Sequence, residues 1–233
     1  VNGFHVRPEH VFAALEGASG GHVPEGNVGG GTGMICHEFK GGIGTSSRRV
    51  GAAGGDWTVG VLVQANYGSR ELLRVDGVPV GEEIPIDVVP SGARWRKRKP
   101  NDQGQGSIIV IIATDAPLLP HQCKRLAQRA TIGLARAGGY GSNGSGDLFL
   151  AFSTGNREID VAANAVVSTV GCFPNAEISA LFEATAEATE EAIVNALCMA
   201  ETMVGVNDRR CEAIPLDMLQ RAMEKYGRLW RKR

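Results

Sequence analysis

Apolar residues recur at two different periods along this chain of 233 residues, and the switches between them outline its elements. Trp57-Thr58-Val59-Gly60-Val61-Leu62-Val63-Gln64-Ala65-Asn66 is rich in β-branched residues and predicts a strand that stops at the turn signal Tyr67-Gly68. Ile108-Ile109-Val110-Ile111-Ile112-Ala113 is a continuous apolar run, as expected for a strand buried on both faces. Further strands are predicted through Leu148 to Phe152 and over 161–170, with a short alternating piece through Leu73, Val75 and Val78. Steps of three and four mark helices instead. They cover 8–15, with Pro8 in the first turn, and 120–137, with Cys123, Leu126, Ala127, Ala130 and Leu134 on one face. A long helix over 178–200 and an amphipathic one over 216–226 follow. The alternation of strands and helices, without repeat or heptad, indicates a mixed α/β chain and not an all-parallel nucleotide-binding sheet.

Composition narrows the function classes. The length suits one compact domain or two small ones with a sizeable core. A formal net charge of -1 gives no strong attraction to nucleic acid or anionic membrane. The polar stretch 90–106 carries Arg94, Arg96, Lys97, Arg98 and Lys99, but only Trp95 interleaves, so it reads as a solvated loop or processed segment. Five scattered cysteines without a C-x-x-C pair favour free thiols in a reducing, cytoplasmic compartment. The histidines form no metal-binding pattern, and no run approaches the ~20 apolar residues of a membrane span. Gly29 to Gly33 and Lys40 to Thr45 lack the order of a phosphate loop; these glycines are expected to let backbone pass close to backbone or to a substrate.

The stretch Asn143-Gly144-Ser145-Gly146-Asp147 carries the strongest chemical signal. It stands between a glycine-rich approach and an apolar strand. A Gly-Ser bond there can take backbone angles closed to other residues and can store strain. The Ser145 hydroxyl can then attack the Gly144 carbonyl, which leaves Ser145 as an N-terminus holding both a nucleophile and an amine. The plain alternative is an ordinary glycine-rich turn. In the long helix, Thr185 and Thr189 fall on the apolar face with Ile178, Leu181, Phe182, Ala192, Ile193 and Ala196, while Glu183 and Glu187 point away. Such threonines either bond back to the carbonyl one turn earlier or aim at a polar site. Thr189 and Glu191 stand ~200° apart on a regular helix and share a network only at an end or a kink.

Together these blocks resemble the self-processing serine aminopeptidases of N-terminal-nucleophile type, which include L-aminopeptidase/D-amidase/D-esterase and the β-peptidyl aminopeptidases. The matching motifs run in order: Glu25 to Gly29 with Gly31 to Met34, Phe39 to Thr45, Val59 to Gly68, Ala113 to Leu118, Asn143 to Asp147, and Glu183 to Leu197. The resemblance implies an αββα sandwich related to that of ornithine acetyltransferase. It implies cleavage at Gly144-Ser145 into segments 1–144 and 145–233 that remain one domain, and homotetramers of processed pairs. It implies a cofactor-free hydrolase, with no metal, acting on short peptides and on aminoacyl amides or esters. Nucleic acid and membrane are not expected partners. Ser145 is then the nucleophile, Thr189 and Glu191 its supporting hydroxyl–carboxylate pair, and Asn66 an oxyanion donor. Glu25 and Asp115 are substrate-binding candidates. Family members carry a longer N-terminal region, so a truncated chain is expected. Two alternatives stand beside this reading: an acyltransferase of the ornithine acetyltransferase type, and an unprocessed non-catalytic homologue.

Overall fold

The computed structural model describes residues 3–92, 106–157 and 169–229. Helix α1 (Pro8–Glu16) starts on its proline, whose missing N–H costs nothing at that position, and buries none of its residues. Two short strands, β1 (Ile35–Cys36) and β2 (Phe39–Lys40), pair antiparallel. They lead into a long hairpin of β3 (Ile43–Ala52) and β4 (Gly55–Asn66). Its two-residue turn, Ala53-Gly54, has positive φ at both positions (51° and 71°), which matches the twist of the strands it joins. A single helical turn, α2 (Val80–Glu83), precedes β5 (Ser107–Thr114). Helices α3 (Pro120–Ala127) and α4 (Ala130–Arg136) then return the chain to β6 (Leu148–Ser153). The long helix α5 (Ser179–Cys198), a small β7 (Met203–Val204) and β8 (Arg210–Cys211) pair, and α6 (Leu216–Lys225) complete the order.

The main sheet runs β3-β4-β5-β6, antiparallel except for the parallel β5–β6 pair. Alternation along β4 and β5 sends Val59, Val61, Val63, Ala65, Ile108, Val110 and Ile112 to one buried face. Helix α5 covers that face with Leu181, Ala188, Ala192, Ile193 and Ala196. Gly44 of β3 lets it approach closely, because a Cβ there would overlap the Ala192 carbonyl oxygen and the Ala196 backbone. The glycine clusters act likewise: a Cβ on Gly42 would strike the Gly26 backbone, and one on Gly31 the Gly26 carbonyl at 2.6 Å.

Four expectations change. The run 108–113 is buried on one face only, since Ile109, Ile111 and Ala113 are half-exposed. They share that outer face with Leu62 of β4 and with Leu148, Leu150 and Phe152 of β6. The single helix over 120–137 is two helices, separated by a turn at Gln128-Arg129, and Gly133 of the second lies close against α5. The polar strand β3, unread in the sequence, is the edge of the sheet. The piece through Leu73, Val75 and Val78 is a turn closed by one Val75–Val78 bridge. The basic residues 94–99 and most of the strand placed at 161–170 lie outside the described residues.

Candidate active site

Helix α4 ends in a run of glycines that the packing demands. Gly138 has φ 98° and passes under the Leu72 carbonyl, while Gly139 lies against Leu134 and the Tyr67 ring. The chain then makes a turn in which the Ser145 N–H donates to the Ser142 carbonyl (2.8 Å). Two bonds lock the following residues to the start of β5. The Gly146 N–H donates to Ser107 Oγ (2.9 Å), and the Ile108 N–H donates to Asp147 Oδ1 (3.1 Å). Ser145 is thereby fixed just before β6. Gly144 itself has no positive φ, and a Cβ there would meet nothing within 4 Å. The unusual backbone expected at the Gly144-Ser145 bond is therefore found upstream, at Gly138 and Gly141.

Ser145 and Asp147 line a cavity with Tyr67, Leu134, Ser142 and the glycines around them. Its free space, about 20 Å³, holds one water-sized occupant. Tyr67 forms the inner wall. Its hydroxyl is buried and has no hydrogen-bond partner among the described residues. Burial, then the Cys36 thiol and the Asp147 carboxylate, push its pKa well above the usual phenol value, so the hydroxyl keeps its proton. Behind it His37 meets the Tyr67 ring edge-on at 4.9 Å and its Nδ1 lies 2.9 Å from the Ser69 carbonyl. Burial lowers the His37 pKa to about 4, against the opposing pull of the Ser69 carbonyl, and keeps the imidazole neutral.

The other sequence-derived candidates lie apart from this cavity. Asn66 Oδ1 accepts the Ile35 N–H (3.0 Å), and Asn66 faces outward on β4 beside the buried Tyr67. Thr185 and Thr189 are fully buried, and each hydroxyl donates to the carbonyl one turn earlier, Leu181 and Thr185, at 2.7 Å. Glu191 has separate partners: it accepts from Ser46 Oγ (2.8 Å) and pairs with Arg48, which also holds Glu187. Partial burial raises the Glu191 pKa, but the bonds from Ser46 and Arg48 outweigh it and hold the carboxylate below its usual range. Glu25 Oε1 accepts both the N–H and the hydroxyl of Thr45 (2.6 Å each). Asp115 Oδ1 accepts the Thr58 N–H (2.7 Å). Glu25 and Ser46 edge a broad open depression over the outer sheet face, with Leu62, Ile111 and Phe152 as its floor.

Sequence reasoning passed over the two side chains that accompany Ser145. Tyr67 registered only as a turn signal after a strand, and Asp147 only as the end of a motif. The local signal for Asp147 was its spacing, two residues beyond the serine at the start of a strand, where side chains share a side.

Comparison with known proteins identifies relatives of the chain. The chain is 51% identical over 233 residues to the β-peptidyl aminopeptidase BapA of Sphingosinicella microcystinivorans, which covers 98% of this chain and 59% of that protein. A β-aminopeptidase from Burkholderia sp. superposes with a TM-score of 0.81 at 52% identity, over 98% of this chain and 61% of its own. The L-aminopeptidase D-Ala-esterase/amidase of Ochrobactrum anthropi, described as a variant of the Ntn hydrolase fold, gives 0.82 at 44% identity, over 98% and 60%. The chain thus has the fold of these aminopeptidases and spans about three-fifths of their length. The profile of peptidase family S58 matches residues 1–211, and the chain belongs to that family.

Proposed function

We infer that this chain carries the reactive centre of a self-cleaving serine aminopeptidase or amidase, with Ser145 as nucleophile. The observation that carries the reading is Ser145 held in a turn before β6, beside a walled cavity, in a chain of family S58. Ser145 Oγ attacks the Gly144 carbonyl, the acyl group moves from nitrogen to oxygen, and water hydrolyses the ester. The freed α-amine has a reference pKa of ~7.7–8.0, so near neutrality part of it is free to take the hydroxyl proton during turnover. The cut also releases the Gly141–Gly144 side of the turn and widens a cavity now sized for one water.

The two products stay together by construction. Strand β6, after the cut, pairs along β5, before it, and α5 packs on β3 and β4. Segments 1–144 and 145–233 are on this reading two chains of one domain. Substrates are short peptides and aminoacyl amides or esters, and the β-peptidyl aminopeptidase relatives favour a panel that includes β-aminoacyl amides. Glu25, Asp115 and Asn66 remain proposed substrate or oxyanion groups, and the Thr189/Glu191 pair a proposed support. Assembly into cytoplasmic homotetramers belongs to the same proposal. Release of amine from L-, D- and β-aminoacyl p-nitroanilides, lost in Ser145→Ala, tests the activity. Hydrolysis that survives in the alanine variant would reject Ser145 as the nucleophile.

A further inference from the structure

Self-cleavage poses a proton-transfer problem that substrate hydrolysis does not. In the cut enzyme the Ser145 α-amine can serve as base. Before the cut that nitrogen is an amide, and its N–H is already donated to the Ser142 carbonyl. The first event therefore needs another base. Thr189 is committed to the Thr185 carbonyl and Glu191 to Arg48 and Ser46, and neither lines the Ser145 cavity.

Among the described residues, three titratable side chains line it: Tyr67, Tyr140 and Asp147. Tyr67 is buried and neutral, and Tyr140 is 60% exposed. Among the described residues that line it, Asp147 alone supplies a carboxylate. Ser145 and Asp147 are both half-buried while Gly146 between them is exposed, so the two side chains share the cavity side. The Ile108 N–H occupies one carboxylate oxygen and fixes the group in place. The other oxygen has no hydrogen-bond partner among the described residues. The space between these walls takes a single water, and a general base can work through one. The buried Tyr67 hydroxyl is a further polar group on the same wall.

We propose that Asp147 is the proton acceptor for cleavage of its own chain at Gly144-Ser145, acting through one cavity water. The Ser145 hydroxyl proton passes through the water to the Asp147 carboxylate as Oγ bonds to the Gly144 carbonyl carbon. The C–N bond breaks, and the leaving nitrogen takes the proton back, which gives an α-amine and an ester. Water then attacks the ester carbon and gives its proton to Asp147. The C–O bond breaks and Oγ recovers the proton, leaving Gly144 as the acid; one water has been added in total.

The inference rests on Ser145 being the nucleophile, and the experiment separates the two. Cutting of freshly made 233-residue chain is followed by intact mass spectrometry for wild type, Ser145→Ala, Asp147→Asn and Asp147→Glu, with circular dichroism to establish folding. Asparagine keeps an oxygen for the Ile108 N–H but is no base. The expected result is a folded Asp147→Asn that cuts at least ~100-fold more slowly than wild type, the usual scale of a general base. A folded Asp147→Asn cutting at the wild-type rate overturns the proposal and leaves Ser145 standing. A role limited to pinning β6 gives the reverse order, with asparagine tolerated and glutamate not. Should the asparagine variant not fold, Asp147→Glu decides: cutting supports the proposal, and a folded uncut chain overturns it. Wild type that stays whole, or Ser145→Ala that is cut, removes the Ser145 reading and this proposal together.

Discussion

Tyr67, in the wall of the Ser145 cavity, and His37 behind it show how burial sets the chemistry of single residues. The His37 imidazole, lowered to about 4 against an ordinary 6.5, binds fewer protons in the folded than in the unfolded chain between those values. Its contribution to stability is therefore complete above pH 6.5 and is lost as the pH falls toward 4, by about 3 kcal/mol. Carbon NMR of the ring is expected to show His37 neutral at pH 5; a midpoint near 6.5 would contradict the buried placement. Tyr67→Phe removes a buried hydroxyl that has no partner among the described residues, so nothing on the protein side is orphaned in turn. Urea unfolding should find the phenylalanine chain as stable as wild type or about 1 kcal/mol more stable. A loss of that size instead would mean that the hydroxyl is satisfied in the folded chain. Ser145 was legible in the sequence because its neighbours are glycines and a strand follows. Tyr67 was not, since its role depends on the α4 end being folded back against it.

Elements were readable where apolar residues recur at a regular period, as in β4 and α5, or run on without a break, as in β5. Strand β3 escaped because Gly44-Thr45-Ser46-Ser47-Arg48-Arg49 has no apolar alternation; backbone pairing with β4 and the close approach of α5 make it a strand. The break between α3 and α4 was hidden for a related reason. No proline or glycine marks it at Gln128-Arg129, and Gly133 of the second helix packs on α5. That contact is tight: a Cβ on Gly133 would overlap the Ala186 carbonyl and approach Thr189 Cβ at 2.6 Å. Gly133→Ala and Gly44→Ala are each expected to destabilise the fold by roughly 2 kcal/mol or more, despite alanine's better helix propensity at Gly133. Thermal melts read this directly, and an unchanged midpoint in either variant would show that α5 can shift away at little cost. The buried Thr185 and Thr189 follow the plainer of the two readings open to them, since each returns its hydroxyl to its own helix.

At the scale of the whole molecule, the described residues cover one face of the sheet with α5 and leave the other open. Rows of outward residues cross it in register, Leu62-Ile111-Leu150 and Gly60-Ala113-Phe152, with Leu148, Leu150 and Phe152 45–62% exposed. The 108–113 run reads in the sequence as doubly buried because both its faces are apolar; the described residues cover only one. An αββα sandwich places a second sheet on such a face. The chain by itself should bind a hydrophobic dye there, since contiguous apolar surface of this kind marks an interaction site. Leu150→Gln is expected to weaken dye binding while changing stability by less than about 0.5 kcal/mol. Equal dye binding would place the exposed apolar surface elsewhere, for instance on α1.

The central claim concerns one bond in this assembly, Gly144-Ser145, which joins the segment ending before β6 to the segment beginning with it. Intact mass spectrometry of the folded chain tests it most directly. The account predicts two species, with masses of residues 1–144 and 145–233, from wild type and a single uncut chain from Ser145→Ala. A folded wild-type chain that remains whole, or a cut at any other bond, would contradict it.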